Sequence, residues 1–192
     1  MNTSTNRETW LNQLTSQFLI DHFKNAGYTI PENVRMACSL TSKKKHIGEC
    51  WSSVASQDNH FEIMIAPSIA DSVQVADILI HELCHAVVGN KEGHNKVFAK
   101  CARAVGLTGK MTATTATPEL KAKIIEWVQV MGEYPHAPLM QSNIKKQSTR
   151  MIKCVCLACD YQVYTSRKWL EIAMPTCPND ECDQMGYSMN LG

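Results

Sequence analysis

The sequence predicts an α+β fold: a main domain over residues 1–131, a linker over 132–150 and a small cysteine-rich module over 151–192. Three observations carry this reading. Segments with strand-like alternation cluster between residues 34 and 66, with helix-patterned segments before and after them. Five of the nine cysteines fall between positions 154 and 182. Between the two regions, "GEYPHAPLMQSNIKKQSTR" has two prolines, few apolar residues and no period.

Residues 8–26 place Trp10, Leu11, Leu14, Phe18, Ile20 and Phe23 at mostly helical spacing, and Gly27 supplies the helix end. "NVRMACSL" alternates Val34, Met36, Cys38 and Leu40 on one face, a strand pattern. The basic run Lys43, Lys44, Lys45 reads as a solvated loop. "IGECWSSVAS" and "HFEIMIAP" read as two strands joined by a polar turn, with Phe61, Ile63 and Ile65 on one face, and Pro67 stops the second. "DSVQVADILIHELCHAVV", residues 71–88, is apolar nearly all round, the mark of a buried helix. Gly89 closes it, and after "GNKEG" a helix from about His94 to Val105 follows. Thr117 and Pro118 form an N-cap and first-turn pair for a last helix, whose buried stripe is Leu120, Ile124, Trp127, Val128 and Met131.

A chain of 192 residues buries roughly 70% of its unfolded surface and needs no disulfides to hold a core. The net charge of +1 gives no global attraction to nucleic acid or membrane, so any such preference rests on a local patch. The polar start "MNTSTNRETW" lacks the apolar stretch of a signal peptide, and no run of eighteen apolar residues occurs. The expectation is a cytoplasmic protein with no membrane partner. Clustered cysteines then point to metal binding rather than disulfides.

His81, Glu82 and His85 form His-Glu-x-x-His within the buried helix, and His94 follows nine residues later. At about 100° per residue, His81 and His85 lie only about 40° apart and can reach one metal from one face. Glu82 stands about 60° beyond His85, badly placed as a ligand but well placed beside a metal-bound water. Zinc lowers the pKa of such a water to roughly 7, and a neighbouring carboxylate can take its proton and pass it on to a leaving amine. A catalytic zinc needs three protein ligands and one open position. His94 is the expected third, on a stripe with Phe98, Cys101 and Val105; Glu92, in the turn, is its nearest rival. Two histidines and a glutamate in an apolar helix would be costly to bury without such a partner. Cys84 reads as a small buried side chain. Asp77, one turn before His81, reads as solvent-exposed, with orientation of His81 the alternative. His22, His46, His60 and His136 belong to no motif.

Cys156-x2-Cys159, seventeen further residues and Cys177-x4-Cys182 fit a two-knuckle zinc ribbon, with "YQVYT" as one of its strands. Cys154 is the surplus thiol and competes with Cys156 as a ligand. From Lys145 to Lys168 six basic residues, Lys153, Arg167 and Lys168 among them, face one acid, with Tyr161, Tyr164 and Trp169 interleaved. Two readings stand: a surface for single-stranded nucleic acid, by phosphate contact and base stacking, or a soluble module whose aromatics fill a small core.

"GECWSSVAS", "FEIMIAPSIAD", "ILIHELCHAVVGNKEGHNKVFAKCARAVGLTGKMTAT" and the ribbon with "TSRKWL" resemble the SprT-like zinc metallopeptidases, especially the short bacterial and phage type. The likeness covers about residues 30–125 and 150–185. It implies a zincin-like α+β domain with a catalytic zinc on His81, His85 and His94, Glu82 as acid/base, and a second, structural zinc on the ribbon. Eukaryotic members of that family cleave proteins trapped on DNA and are switched on by DNA, so the resemblance implies an endopeptidase acting on DNA-associated proteins. The rival expectation is a nucleic-acid-binding module with a weak or vestigial protease site.

Overall fold

The computed structural model describes residues 6–43, 45–140, 151–185 and 190–191, and the chain divides into two compact units, 1–141 and 142–192. Lys44 of the basic run, and Lys145, Lys146 and Arg150 ahead of the ribbon, lie outside the described residues.

In the first unit, α1 (Arg7–Leu14) passes through a π turn, Thr15–Leu19, directly into α2 (Ile20–Asn25). The turn explains why the spacing here is only mostly helical. Leu11, Thr15, Leu19 and Phe23 are all buried at uniform four-residue steps, and such a row drifts about 40° per step around an α-helix. The wider π turn takes up that drift. Leu19 is therefore fully buried, while Ile20, expected in the stripe, is 47% exposed.

The sheet runs β1-β3-β2, from β1 (Val34–Cys38), β2 (Gly48–Trp51) and β3 (Phe61–Ile65). β3 is central, parallel to β1 and antiparallel to β2, which leaves β2 as an edge. Helix α3 (Ser72–Val88) starts at Asp71, whose side chain accepts from the Gln74 N–H, and stops at Gly89, whose φ of 89° suits glycine. Val75, Leu79, Ile80 and Leu83 have no exposed surface, because α3 packs against α1, α4, α5, β2 and β3 at once. Its all-round apolarity is thus used on every side.

Helix α4 (Lys96–Ala104) begins two residues later than expected. Asn95 is its N-cap, accepting from Val97 and Phe98 N–H, so His94 precedes the helix instead of opening it. An unexpected hairpin follows, β4 (Leu107–Lys110) with β5 (Ala113–Ala116). Its threonine-rich strands carry no apolar alternation, the signal by which strands are read. Helix α5 (Pro118–Met131) starts at the Thr117 cap and buries Leu120, Ile124 and Val128.

Residues 132–140, expected as the start of a linker, form a strap on this unit. Trp10 Nε1 donates to the Gly132 carbonyl at 2.9 Å, and Tyr134 N–H to Ser72 Oγ at 2.8 Å. His136 Nε2 donates to the Pro67 carbonyl at 2.8 Å, and Tyr134 is buried against Trp10.

The second unit has three short antiparallel strands in the order β7-β6-β8: β6 (Ile152–Val155), β7 (Gln162–Thr165) and β8 (Asn190–Leu191). A one-turn helix, α6 (Arg167–Leu170), follows β7.

Candidate metal centre

Helix α3 projects His81 and His85 one turn apart, and the turn beyond it returns His94 to them. That return needs Gly93, whose φ of 52° is one that side-chain-bearing residues rarely adopt. The His94 Nε2 stands 3.3 Å from the His81 Nε2 and 3.2 Å from the His85 Nε2. Ligand nitrogens about 2.05 Å from a tetrahedral metal stand about 3.3 Å from one another, so the three imidazoles fit a zinc ion. Glu92, the rival ligand, instead accepts from the Asn95 amide at 2.8 Å. Phe98 floors the site, its ring centroid 5.0, 4.4 and 4.9 Å from those of His81, His85 and His94.

Burial disfavours the imidazolium at each position. His81 is drawn down to about 4 and His85 to about 3, first by desolvation and then by the neighbouring histidines; His94 is lowered by burial alone. At neutral pH all three are bare donors. The hairpin missed in the sequence supplies the partner of the other ring nitrogen: the His81 Nδ1 lies 2.8 Å from Thr114 Oγ1. A proton donated from Nδ1 to that hydroxyl leaves Nε2 free. Thr114→Val is expected to lower zinc affinity roughly 10- to 100-fold, read by competition with a chelating dye.

Asp77, expected in solvent, is half-buried against the Ala116 backbone of β5. Desolvation pushes its carboxyl up to about 6 against the pull of the Ala116 backbone and Lys121, and Oδ1 has no hydrogen-bond partner. It does not orient His81; Thr114 does. Cys84 is fully buried. Of the histidines without a motif, His46 lines the cleft, His22 bonds the Val105 carbonyl and His60 the Asp58 carbonyl.

Glu82 is 6% exposed. Desolvation, reinforced by the Glu49 carboxylate, pushes its carboxyl up to about 8 in the metal-free chain. A bound cation opposes that rise. The carboxylate lies directly under edge strand β2, at Gly48. A Cβ added to Gly48 would stand 2.4 Å from Ile78 Cγ2 and 2.6 Å from Glu82 Oε1. Glycine is needed here for close approach, not for its dihedrals, and no periodicity announces that. Gly48→Ala is expected to displace Glu82 and cut activity more than zinc content, checked by metal analysis beside peptide cleavage.

A cleft of about 510 Å³ opens over these groups, walled by Gly48–Cys50 of β2 on one side and Thr112–Thr115 of the hairpin on the other. The model of the SprT-like family matches residues 11–118, more than half of the chain and all of this cleft. The chain belongs to the SprT-like family. No curated protein and no solved structure matches it. SprT-like proteins are associated with zinc metallopeptidase activity, and membership points to a metalloprotease.

The second metal-ligand cluster lies beyond the SprT-like match. Cys156, Cys159, Cys177 and Cys182 bring their sulfurs within 4.8 Å of one another, with Cys159 and Cys177 3.5 Å apart. The first pair is folded by a tight turn in which Cys156 N–H donates to the Tyr161 carbonyl and Asp160 N–H to the Cys156 carbonyl, both at 2.9 Å. Four thiols at this spacing are consistent with zinc. Cys154, on β6, is buried beside the group but is no member of it. Around the cluster, Tyr161, Tyr164 and Trp169 are 45%, 58% and 56% exposed, so these aromatics do not fill the core. Lys168 Nζ sits 5.0 Å from the Trp169 ring centroid, and Lys153 is paired in register with Tyr164. Among the described residues no helix is long and apolar enough to cross a membrane.

Proposed function

We propose that the protein is a zinc-dependent endopeptidase of zincin-like fold that acts on proteins associated with or crosslinked to DNA. The observation that carries it is the convergence of the His81, His85 and His94 nitrogens beside the buried Glu82 carboxylate, under an open edge strand. In this reading the catalytic domain runs through the strap to about residue 140, the residues from there to 150 connect, and 151–192 form a ribbon around a structural zinc on Cys156, Cys159, Cys177 and Cys182. Nine unpaired thiols suit the reducing cytoplasm.

His81, His85 and His94 hold the catalytic zinc, which supplies Lewis acidity to a water and to the peptide carbonyl. Glu82 takes the proton of the attacking water and passes it to the leaving amine. Its burial favours the protonated form between those two transfers. The substrate backbone extends along β2 and exchanges main-chain hydrogen bonds with it. β2, not β3, is the strand available for this, since β3 is paired on both sides. The Ala66 N–H donates to the Ile47 carbonyl at 2.9 Å, and hydrogen-bonded pairs alternate along an antiparallel ladder, so Glu49 bonds inward to Met64 while Gly48 and Cys50 turn their N–H and C=O groups outward. The Asn90 side-chain amide already donates to the Cys50 carbonyl. Gly48 is therefore the register position left open in full, and it sits over Glu82. An edge this short reads few substrate side chains, which suits a protease that meets unrelated proteins.

The exposed Arg167, Lys168 and Trp169, with the half-buried Lys153 beside them on the ribbon, give it a surface for single-stranded DNA by phosphate contact and stacking. That surface also supports the second reading, a nucleic-acid-binding module with vestigial protease activity. The test mixes the zinc-loaded chain, or its Glu82→Gln variant, with a DNA-binding protein, with and without single-stranded DNA. Cleavage by the unmodified chain in the presence of DNA is expected; no cleavage in any lane, with zinc present at both sites, selects the binding module.

A further inference from the structure

Between Glu92 and Glu119 the chain carries no acidic residue, while Lys96, Lys100, Arg103 and Lys110 are all basic. In a chain whose net charge is only +1, this is a marked local excess. At 1.5 Å per residue, Lys96, Lys100 and Arg103 follow one another along α4 at steps of about 6 and about 4.5 Å. They share one face, since positions three and four apart are neighbours on a helix. All three are exposed, and among the described residues none forms an ion pair. The opposite face of α4, with Phe98, Cys101 and Ala102, is buried in the core.

The basic face is shallow and open. Lys96, Lys100 and Arg103 rim a groove with the small Ala99 between them, and the groove reaches His94. His94 also lines the catalytic cleft, so groove and cleft meet at one residue. A row of like charges at short, repeated steps, with no large apolar side chain in the groove and no aromatic ring but His94 at its end, complements a chain that carries one charge per unit. It offers nothing that would read particular side chains.

We infer that the groove along α4 holds the sugar-phosphate backbone of a nucleic-acid strand and leads it to the rim of the catalytic cleft. This surface lies on the protease unit itself and is separate from the ribbon residues. The inference rests on the nucleic-acid reading of the proposed function. It adds that the substrate protein is presented to Gly48 and Glu82 by the strand to which it is attached.

The test uses the full zinc-loaded chain and a fluorescein-labelled single-stranded oligonucleotide, followed by anisotropy across a salt series. Lys96→Glu, Lys100→Glu and Arg103→Glu combined should weaken binding at least tenfold. The salt slope should fall by about two, at roughly 0.7 for each phosphate of a single strand that the protein ceases to neutralise. Cleavage of a short peptide without nucleic acid, and zinc content, should be unchanged. A control reversal of Lys24, Lys121 and Lys123 should bind as the unmodified chain does. If only reversal of Lys153, Arg167 and Lys168 weakens binding, the ribbon alone holds the strand and the α4 groove is overturned, while the proposed function stands. If the α4 variant loses binding of poly-glutamate but not of the oligonucleotide, the groove is a subsite for acidic peptides and the inference is wrong. If the unmodified chain binds no oligonucleotide, this inference and the nucleic-acid part of the proposed function fall together.

Discussion

Glu82→Gln is expected to leave the zinc-loaded protein without measurable proteolysis while it still binds metal. The amide keeps the size of the side chain under Gly48 but can neither accept the proton of a water nor return it to an amine. General acid–base assistance of this kind contributes about 10²- to 10⁴-fold. Metal content should hold, because the three imidazole nitrogens close on one point without Glu82. The same substitution has a second consequence in the metal-free protein, of opposite sign. The Glu82 carboxyl titrates at about 8 in the fold, against an ordinary value of 4.5. Between those values the folded chain keeps a proton that the unfolded chain has released. Stability contributed by Glu82 is thus fully present below about pH 4.5 and declines as pH rises through about 8, by about 1.4 kcal/mol per pH unit. The histidines titrate the other way, but they are common to both proteins and cancel in the comparison. Urea unfolding in chelator at pH 5, 7 and 9 should show the glutamine variant gaining on its parent as pH rises, with little further gain beyond pH 9. Parallel pH curves would mean that burial does not govern this carboxyl.

Loss of the metal at the cysteine cluster is expected to unfold residues 151–182 outright. Among the described residues the buried core of that unit is Cys154, Cys156, Cys177 and Cys182, with Val163 and Leu170 packed against it. So little apolar surface cannot offset the entropy of ordering some thirty residues, at about 1 to 2 kcal/mol each for the backbone alone. A structural zinc supplies about 10–16 kcal/mol of apparent binding free energy. Cys177→Ser should therefore abolish hydrogen-exchange protection of β6 and β7 and open the segment to proteolysis. Peptide cleavage at the histidine centre should survive, since none of its groups comes from this unit. Protected β6 and β7 amides in the serine variant would mean that the module folds without metal.

The histidine centre is legible in the sequence because its geometry is mostly local. Four residues along a helix bring His81 and His85 to one face whatever surrounds them, and a glycine-bounded turn limits where His94 can go. The cysteine spacing is local in the same sense. What escapes is what only tertiary contact decides. Thr114 meets His81 across a hairpin that no apolar alternation marks, and Gly48 matters because another element passes beneath it. Asp77 reads as exposed because nothing in the helix period shows β5 lying against it. The strap at 132–140 reads as linker because two prolines and scattered apolar residues have no period, although Tyr134 is buried and tied to Ser72.

The π turn at Thr15–Leu19 has a consequence for insertions and deletions. Losing one residue from a core-facing helix ordinarily rotates everything beyond it by about 100°. Here the helix already carries a surplus residue, and the π turn is the place where it is absorbed. Removing the exposed Gln17 would turn the steps Leu11–Thr15–Leu19–Phe23 from four, four, four into four, three, four, the spacing of an ordinary buried face. A chain shortened there should fold with Leu19 and Phe23 still inside, whereas the same deletion in α3 ahead of His81 would swing His81, Glu82 and His85 together about 100° away from His94.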